Sequence, residues 1–391
     1  MGIIILQQKT KGIINGKKIL FLVPSFPPSK LTGSIRPAKF AKYLSRLGWD
    51  VTVLTFEHQD STHLDLLNDL KSVRIETCGI AKKIIVNDLG ISYLFQAYKQ
   101  AMELSKEISP DYVLVSMPAF MNSILAYIIK KRFNIDYILD YRDLWVGDPY
   151  PARGIKGKVF RIISKVIEPF VLKFAYLSYY VSQNMLNDQL KLYPFLKDKK
   201  TTVISTGYDH EDISHIISSV KKNGYISHIG NADLDMNIDD FVDIVRDKKV
   251  QGVLLDKKLK FLFVGSKNNF IKEALDGSLN IFFDFKDYIT HSEALQLMAD
   301  SNGLLILGSN SAQRLNRKVF EYSALNKNIF YLGSISSPTA SVVKEFGGKV
   351  STVNAKVGNM VDFLENLSEV DVAMSMKYSK NKLVKILNDN I

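Results

Sequence analysis

From Leu315 to Leu332 the chain reads Leu-Asn-Arg-Lys-Val-Phe-Glu-Tyr-Ser-Ala-Leu-Asn-Lys-Asn-Ile-Phe-Tyr-Leu. Val319 and Phe320 fall on one face of a predicted helix, and Asn326 is a residue type that ends helices in the left-handed conformation. The apolar run Ile329–Leu332 then predicts a short buried strand. A helix followed directly by a buried strand is the repeating unit of a parallel α/β sheet, so this stretch predicts the fold class.

The same alternation of apolar runs and helical patterns occurs along the rest of the chain, and it restarts near residue 224. Strands are predicted at Ile19–Val23, Val51–Thr55, Tyr112–Val115, Tyr137–Asp140, Tyr225–Ile229, Lys260–Val264 and Gly303–Leu307. A capping box, Thr290-His-Ser-Glu293, predicts where one of the later helices begins. The restart favours two doubly wound domains, each with a mostly parallel sheet.

We therefore expect two Rossmann-like domains that face a cleft. The predicted boundaries are 1–205 for the first domain and 206–370 for the second, with 371–391 a C-terminal helix that packs back on the first domain. Strands of the second domain end at glycine, among them Gly230 and Gly265, and open α/β sheets bind ligands at that edge. Glycine is also common at strand ends, so this pattern alone is weak.

Composition indicates a chain that is not built around disulfides or membrane spans. Of 391 residues, 46% are hydrophobic, which is enough for two cores, and Cys78 is the single cysteine. One cysteine excludes an intramolecular disulfide, and no apolar run approaches the roughly 18 residues that span a bilayer. The start of the sequence lacks the pattern of a signal peptide. We expect a cytoplasmic protein.

Charge is distributed unevenly between the halves of the sequence. Residues 1–200 carry 29 Lys and Arg against 17 Asp and Glu, or 29 − 17 = +12, whereas residues 201–391 carry 22 against 23, or −1. The first half should therefore be attracted to anionic partners. No nucleic-acid recognition module is visible, so phosphorylated substrates or anionic lipids are the favoured partners.

The helix predicted within Leu315–Lys327 opens with two cations and carries an acid one turn later. Arg317 and Lys318 suit the phosphates of a nucleotide diphosphate, and Glu321 can accept bonds from two ribose hydroxyls. A surface Lys–Glu pair on an ordinary α/β unit explains the same residues. From this stretch alone the two interpretations are about equally supported.

Several segments, in order along the chain, resemble the retaining nucleotide-sugar glycosyltransferases of family 4, which have the GT-B fold. They are the first strand with its Phe-Pro-Pro and Gly-Ser loop, Asp140-Tyr-Arg-Asp-Leu-Trp145, Val203-Ile-Ser-Thr-Gly-Tyr-Asp209, Asp287–Gly308 and Lys318-Val-Phe-Glu-Tyr322. The last segment is similar to the family's Lys-x-x-Glu-Tyr donor helix. The resemblance covers nearly the whole chain.

The resemblance implies transfer of a sugar, with retention, from a UDP or GDP sugar to an acceptor hydroxyl in polysaccharide or glycolipid assembly. It implies no metal ion or other cofactor, because the nucleotide sugar is a substrate. The implied acceptor is a glycan or a lipid-linked glycan. The implied site residues are Asp143 near the acceptor hydroxyl, Glu321, Lys318, Arg317, Arg314, Gly230 and Gly265 for the donor, and Gly33, Ser34 and Arg36 in the loop between them.

Two departures from the family pattern leave alternatives open. Gln313 stands eight residues before Glu321, where such enzymes commonly have a first glutamate, and the loop 231–237 has no base to clamp a diphosphate. A nucleotide-sugar epimerase on the same fold and a non-catalytic transferase-like binding subunit therefore remain as alternatives. For Asp143, a helix-capping role or pairing with Arg142 is about as well supported as a role in the reaction. Asp233-Leu-Asp235 has metal-binding spacing, but a solvated acidic turn is favoured.

Residues 155–174 form a predicted basic amphipathic helix. Val159, Ile162, Val166 and others share one face, and Lys158, Arg161 and Lys165 lie on the other. We expect this face to pack on the first sheet in preference to a membrane surface. The basic segment from Arg153 still predicts a peripheral contact with anionic lipid at the inner face of the plasma membrane.

Overall fold

The computed structural model describes residues 16–29, 31–57, 64–80, 91–147, 154–214, 216, 222–230, 232, 236–265, 268–351, 357–367 and 376–391. The Asp233–Asp235 motif and Arg153 lie outside the described residues. Every statement below concerns the described part of the chain.

The first sheet has seven parallel strands in the order β3-β2-β1-β4-β5-β6-β7. Its strands are β1 Lys18–Leu22, β2 Asp50–Glu57, β3 Arg74–Ile80, β4 Tyr112–Ser116, β5 Asp136–Tyr141, β6 Leu177–Tyr180 and β7 Thr201–Val203. Its helices are α1 Ile35–Arg46, α2 Leu64–Asn68, α3 Ile91–Ile108, α4 Asn122–Phe133, α5 Gly154–Phe174 and α6 Gln183–Leu192.

Both faces of the first sheet are covered, which explains why β1 is apolar along its whole length. Ile19 and Phe21 face the core that includes α1, whereas Leu20 and Leu22 face the core that includes α3 and α4. Successive side chains of a strand point to opposite faces, so a strand between two layers of helices needs apolar residues at every position.

The second sheet has six parallel strands in the order β10-β9-β8-β11-β12-β13. Its strands are β8 Tyr225–Ile229, β9 Lys260–Val264, β10 Phe283–Lys286, β11 Gly303–Leu307, β12 Ile329–Leu332 and β13 Lys349–Ser351. The remaining helices are α7 His210–Ser214, α8 Ile238–Arg246, α9 Lys248–Asp256, α10 Asn269–Ala274, α11 His291–Asp300, α12 Lys318–Ala324, α13 Pro338–Glu345, α14 Val357–Glu365 and α15 Lys380–Asn390.

Two local sequence patterns in the second domain form the helix ends that they predict. Thr290 and Glu293 form a capping box at the start of α11, with the Thr290 N–H donating to Glu293 Oε2 at 2.9 Å. Asn326 has a φ of 53°, the left-handed conformation that ends α12. Helix α12 is shorter than the predicted helix, because Leu315–Arg317 form a loop before it.

The chain crosses between the domains twice, and the two crossings lie side by side. Tyr208 pairs with Ser379 in a parallel bridge, and the Lys380 N–H donates to the Tyr208 carbonyl at 2.9 Å. Gly207 has a φ of +60° and faces the Tyr378 backbone so closely that no side chain fits there. After the second crossing, α15 packs on α1 of the first domain, where the Trp49 Nε1–H donates to Asn388 Oδ1 at 2.9 Å.

Helix α5 differs from the expectation that its apolar face is a core face. Val159, Ile162 and Val166 are 50%, 67% and 70% exposed, whereas Val171 near the end of the helix is fully buried. A helix of 21 residues is about 31 Å long, while the six-residue strand β5 spans about 20 Å. The first turns of α5 therefore extend beyond the sheet at the edge where its strands end. The prediction of a fully packed helix was wrong for this part.

None of the described helices has the length and apolar character needed to cross a membrane.

Candidate active site

The start of α12 lies against the end of β8, which brings two of the predicted donor residues together. The Ile229 N–H donates to the Tyr322 hydroxyl at 3.0 Å and fixes the helix at this position. A β-carbon at Gly230 would lie 2.8 Å from Cε and 3.3 Å from Nζ of Lys318. The Lys318 side chain therefore occupies the space that the absence of a side chain at Gly230 leaves open. Burial lowers the pKa of Lys318 to about 8, Glu321 opposes this shift, and Arg317 adds to it.

Glu321, on the next turn of α12, is a buried carboxylate surrounded by positive charge. It is 5% exposed, and its carboxylate forms no hydrogen bond or ion pair with any described residue. Burial raises its pKa, but Arg317, His291, Lys318 and Lys380 together hold the pKa below its usual value. The carboxylate is thus ionised and has unused acceptor positions.

The two predicted glycines leave space next to the backbone because they have no side chain. Their N–H groups form hydrogen bonds within the sheet. Gly230 donates its N–H to the Val264 carbonyl at 2.7 Å, and Gly265 donates to the Lys286 carbonyl at 3.0 Å. Both have positive φ, 137° and 158°. A ligand can therefore approach the backbone here, but these two N–H groups are not free to bind its phosphates.

The loop before α12 carries the remaining predicted cations. Arg314 is exposed and Arg317 is half-buried at the N-cap of the helix. Gln313, which stands where the family pattern has a glutamate, accepts a bond from the Ser311 hydroxyl at 2.9 Å. This loop also contacts the first domain, because the Asn184 side chain donates to the Ala312 carbonyl at 3.0 Å. The cations consequently lie at the junction of the domains.

In the first domain, the predicted loop residues are held by other parts of the sheet edge. The Gly33 carbonyl accepts from Arg142 at 2.7 Å, and the Ser34 hydroxyl donates to the Leu31 carbonyl at 2.7 Å. Arg36 is buried and donates to Asp140 at 3.1 Å and to the Ser205 carbonyl at 2.7 Å. Its guanidinium is committed to protein acceptors, so in this structure Arg36 joins the ends of β5 and β7.

Asp143 lies exposed in the loop that follows β5. Its neighbour Arg142 is held between the carbonyls of Gly33 and Met117. Burial lowers the pKa of Arg142, and Asp140 and Asp143 oppose that shift. The loop thus places Asp143 beside the Gly33 turn at the edge of the first sheet.

Glu168 in α5 is a residue that the sequence interpretation missed. It is fully buried and accepts from the Val146 N–H at 3.0 Å, from Gln189 at 2.7 Å and from the Tyr193 hydroxyl at 2.9 Å. Burial raises its pKa, and these bonds oppose the shift. Glu168 therefore anchors the loop of Asp143 to α5. Its signal in the sequence was a single acid within an apolar and basic helix.

A second cluster missed from sequence joins α1 to the segment after the first crossing. The ammonium of Lys39 lies 2.7 Å from Asp209 and 2.6 Å from Asp212, and that of Lys42 lies 2.7 Å from Asp69 and 3.2 Å from Asp209. These three carboxylates converge as metal ligands do, but the two lysines lie among them and offset most of their charge. The cluster continues toward Glu321 through His291, whose Nε2 lies 3.6 Å from Asp212.

The fold described above is that of a known class of protein. Two parallel sheets with helices on both faces, joined by paired crossings, form the GT-B fold. The sequence profile of the family Glycosyltransferase Family 4 matches residues 38–212, which is most of the first domain. No curated protein sequence gives a match.

Three solved structures share this fold along nearly the whole chain. Sucrose-phosphate synthase from Thermosynechococcus elongatus is 13% identical, with 95% of this chain and 94% of that chain covered and a TM-score of 0.64. The lipopolysaccharide outer core galactosyltransferase WaaB is 11% identical, with 95% and 98% covered and a TM-score of 0.61. UDP-GlcNAc 2-epimerase of Methanocaldococcus jannaschii, solved with UDP-GlcNAc and UDP, is 12% identical, with 96% and 99% covered and a TM-score of 0.51. At these identities the similarity establishes the fold.

Proposed function

We propose that the chain transfers a sugar from a nucleotide-diphosphate sugar to an acceptor hydroxyl, with retention of the anomeric configuration and without a metal ion or cofactor. The observation that carries the proposal is the ionised, buried carboxylate of Glu321, which has no bonded partner among the described residues and lies one helical turn from Lys318 at Gly230. A buried charge without a bonded partner is costly to the fold, so such a group is a candidate for binding a ligand.

The ribose hydroxyls and the diphosphate of the donor each have a matching group in this site. The ribose hydroxyls donate to Glu321, and the diphosphate lies toward Lys318 at the glycine edge, with Arg317 and Arg314 nearby in sequence. These cations supply the positive charge that a metal ion supplies in other transferases. The M. jannaschii epimerase of the same fold is described with UDP-GlcNAc and UDP, which supports a UDP sugar as the first donor to test.

Asp143 is the candidate for the acceptor side. As a carboxylate near the acceptor hydroxyl it assists loss of the hydroxyl proton as the new bond forms. The loop that carries it is held in place by Arg142, by Glu168 and by Trp145, whose Nε1–H donates to Ser164 at 2.7 Å. This support favours a positioned group over a mobile surface acid.

The acceptor proposed for this site is a lipid-linked glycan at the inner face of the plasma membrane. The overhanging turns of α5 expose Val159, Ile162 and Val166, and Lys158 and Arg161 are exposed on the same helix. Apolar side chains flanked by cations suit the boundary of an anionic bilayer. The overhang lies at the edge of the sheet that carries Asp143, so a lipid acceptor at the membrane would be close to it.

One experiment tests the proposal against its two alternatives. UDP, GDP and ADP sugars are titrated calorimetrically, and the nucleotide sugar that binds is then incubated with and without polyprenyl-diphosphate-linked acceptor. Product formation that requires acceptor, with the anomeric configuration retained in the NMR spectrum, is the expected result. Conversion of the donor sugar without acceptor would identify an epimerase, and binding without turnover would identify a non-catalytic subunit. Absence of binding to all three classes would overturn the proposal.

A further inference from the structure

Lys380 is a buried lysine at the start of the C-terminal helix, and the function proposed above does not yet use it. It is the first residue of α15, directly after the second crossing, and it is 3% exposed. Its backbone N–H is fixed by the Tyr208 carbonyl. The chain therefore places this side chain at the junction of the two domains with little freedom to move.

The ammonium of Lys380 has no ion pair with a described residue, and of its two acidic neighbours only one is available. The charges that act on it are those of Arg317 and Glu321 on α12, Lys39 on α1, and Asp209 after β7. Asp209 already accepts from the Tyr43 hydroxyl at 2.6 Å and from Lys39 at 2.7 Å, and Lys42 lies 3.2 Å away. Glu321 forms no such bond.

The Phe320 ring lies 4.9 Å from the Tyr378 ring, so the segments that carry the buried Glu321 and Lys380 are in contact. No ion pair joins these two described residues. Burial lowers the pKa of Lys380 to about 8, Arg317 and Lys39 add to this shift, and Glu321 and Asp209 oppose it. An arrangement made for stability would bring the two groups into contact or replace both by apolar residues. A carboxylate held ionised by a cation at a distance keeps its oxygens open for another donor.

We propose that Lys380 is a positioning residue for nucleotide binding, which holds Glu321 ionised and oriented toward the ribose hydroxyls from the C-terminal helix. The inference rests on the proposed function, because it takes the ribose as the ligand of Glu321. It makes the C-terminal helix part of the donor site, although the helix packs on the other domain. A helix that only closes the fold does not need a buried charge at this position.

The test is a double-mutant cycle of Lys380→Met and Glu321→Gln, with Lys382→Met as the matched control. Lys382 is an exposed lysine on the same helix. UDP, GDP and ADP are titrated with each variant, and the nucleotide that binds is compared with its 2′-deoxy form. We expect Lys380→Met to weaken binding about five- to tenfold, a fraction of what a charged hydrogen bond contributes. The variant should also lose most of the preference for ribose over deoxyribose.

The cycle separates a positioning role from a structural one. In the Glu321→Gln background, Lys380→Met should weaken binding no further, because it acts through the carboxylate that is already absent. Its melting temperature should stay the same or rise, since an unpaired buried charge is removed. Lys382→Met should match the wild type in both measurements.

Other results would overturn the inference. Wild-type affinity in Lys380→Met, additive losses in the double variant, or an equal loss for the ribose and deoxyribose forms would each refute the role of Lys380 and leave the proposed function intact. If the wild-type chain binds none of the three nucleotides, the proposed function fails, and this inference fails with it.

Discussion

The two buried charge clusters at the domain junction are compensated in different ways. Around α1, the ammoniums of Lys39 and Lys42 each lie within 3.4 Å of three carboxylates. Around α12, Lys318, Glu321 and Lys380 are buried or half-buried, and none of them forms an ion pair with a described residue. Paired burial suits a structural joint, whereas unpaired burial is costly unless a ligand completes it. The difference supports the proposed donor site at α12.

Breaking the paired cluster should have the largest effect on stability. Lys39→Met leaves the buried Asp209 and the half-buried Asp212 with one cation fewer. Removing one partner of a buried pair costs about 3–5 kcal/mol. Lys380→Met is the matched change in the unpaired cluster and should cost little. Urea unfolding of both variants measures the difference. If Lys380→Met is as destabilising as Lys39→Met, the distinction between the clusters is wrong.

The exposed cations of α5 form a third group, and none of them has an ion pair with a described residue. Changing Lys158, Arg161 and Lys165 to glutamine should weaken binding to vesicles that contain anionic lipid by about 1 kcal/mol per residue. The matched control changes three exposed lysines of the second domain, Lys248, Lys249 and Lys344, to glutamine. Vesicle sedimentation measures both.

Salt distinguishes the causes of such membrane binding. Exposed charges are screened over about 10 Å at 0.1 M ionic strength, so binding should fall as salt rises. Binding that does not depend on salt would indicate that the exposed Ile162 and Val166 insert into the bilayer instead. Failure to bind anionic vesicles would remove the lipid from the proposal and leave a soluble acidic acceptor.

Substitution of Glu321, in the unpaired cluster, and of Asp143, at the edge of the first sheet, should have different effects. Glu321→Gln should weaken nucleotide binding by about 1.5–3 kcal/mol, the contribution of a hydrogen bond to a charged group, while the fold stays intact. Asp143→Asn should lower turnover with donor affinity nearly unchanged, because its interaction is made mainly in the transition state. Calorimetry and single-turnover assays measure the two effects. An Asp143→Asn variant that unfolds would support the capping role for that residue.

The sequence predicted what depends on local patterns. The apolar runs of β8, β9 and β11 predicted their strands with the observed bounds, and Thr290 and Glu293 predicted the start of α11. The approach of Lys318 and Glu321 also followed from sequence, because the two residues are one turn apart.

What the sequence did not show depends on contacts between distant residues. Lys39 and Asp209 are 170 positions apart, and nothing near either residue indicates the other. Nothing in the sequence indicated that Lys380 is buried, since a lysine at the start of a helix is ordinarily exposed. The exposed face of α5 depends on the length of the strands beneath it, so the amphipathic pattern could not decide between a core and a membrane surface.

A shift with pH is also expected, and it should have opposite signs for stability and for binding. Burial holds the pKa of Lys318 and Lys380 near 8 in the folded chain, against 10.5 for an ordinary lysine. Between about pH 8 and 10.5 the unfolded chain therefore binds more protons, so the stability of the unliganded fold should rise with pH. Over the same range the two ammoniums lose their charge, and affinity for a nucleoside diphosphate should fall.

Both trends can be assigned with one variant. The double change Lys318→Met and Lys380→Met removes both titrating groups, and subtraction of its pH profile from that of the wild type removes the contribution of tyrosines and exposed lysines. The difference in unfolding free energy should then rise above pH 8 while the difference in nucleotide affinity falls. If stability and affinity change in the same direction, the charges of the two lysines stabilise the fold without a ligand. The contrast between the two clusters is then wrong.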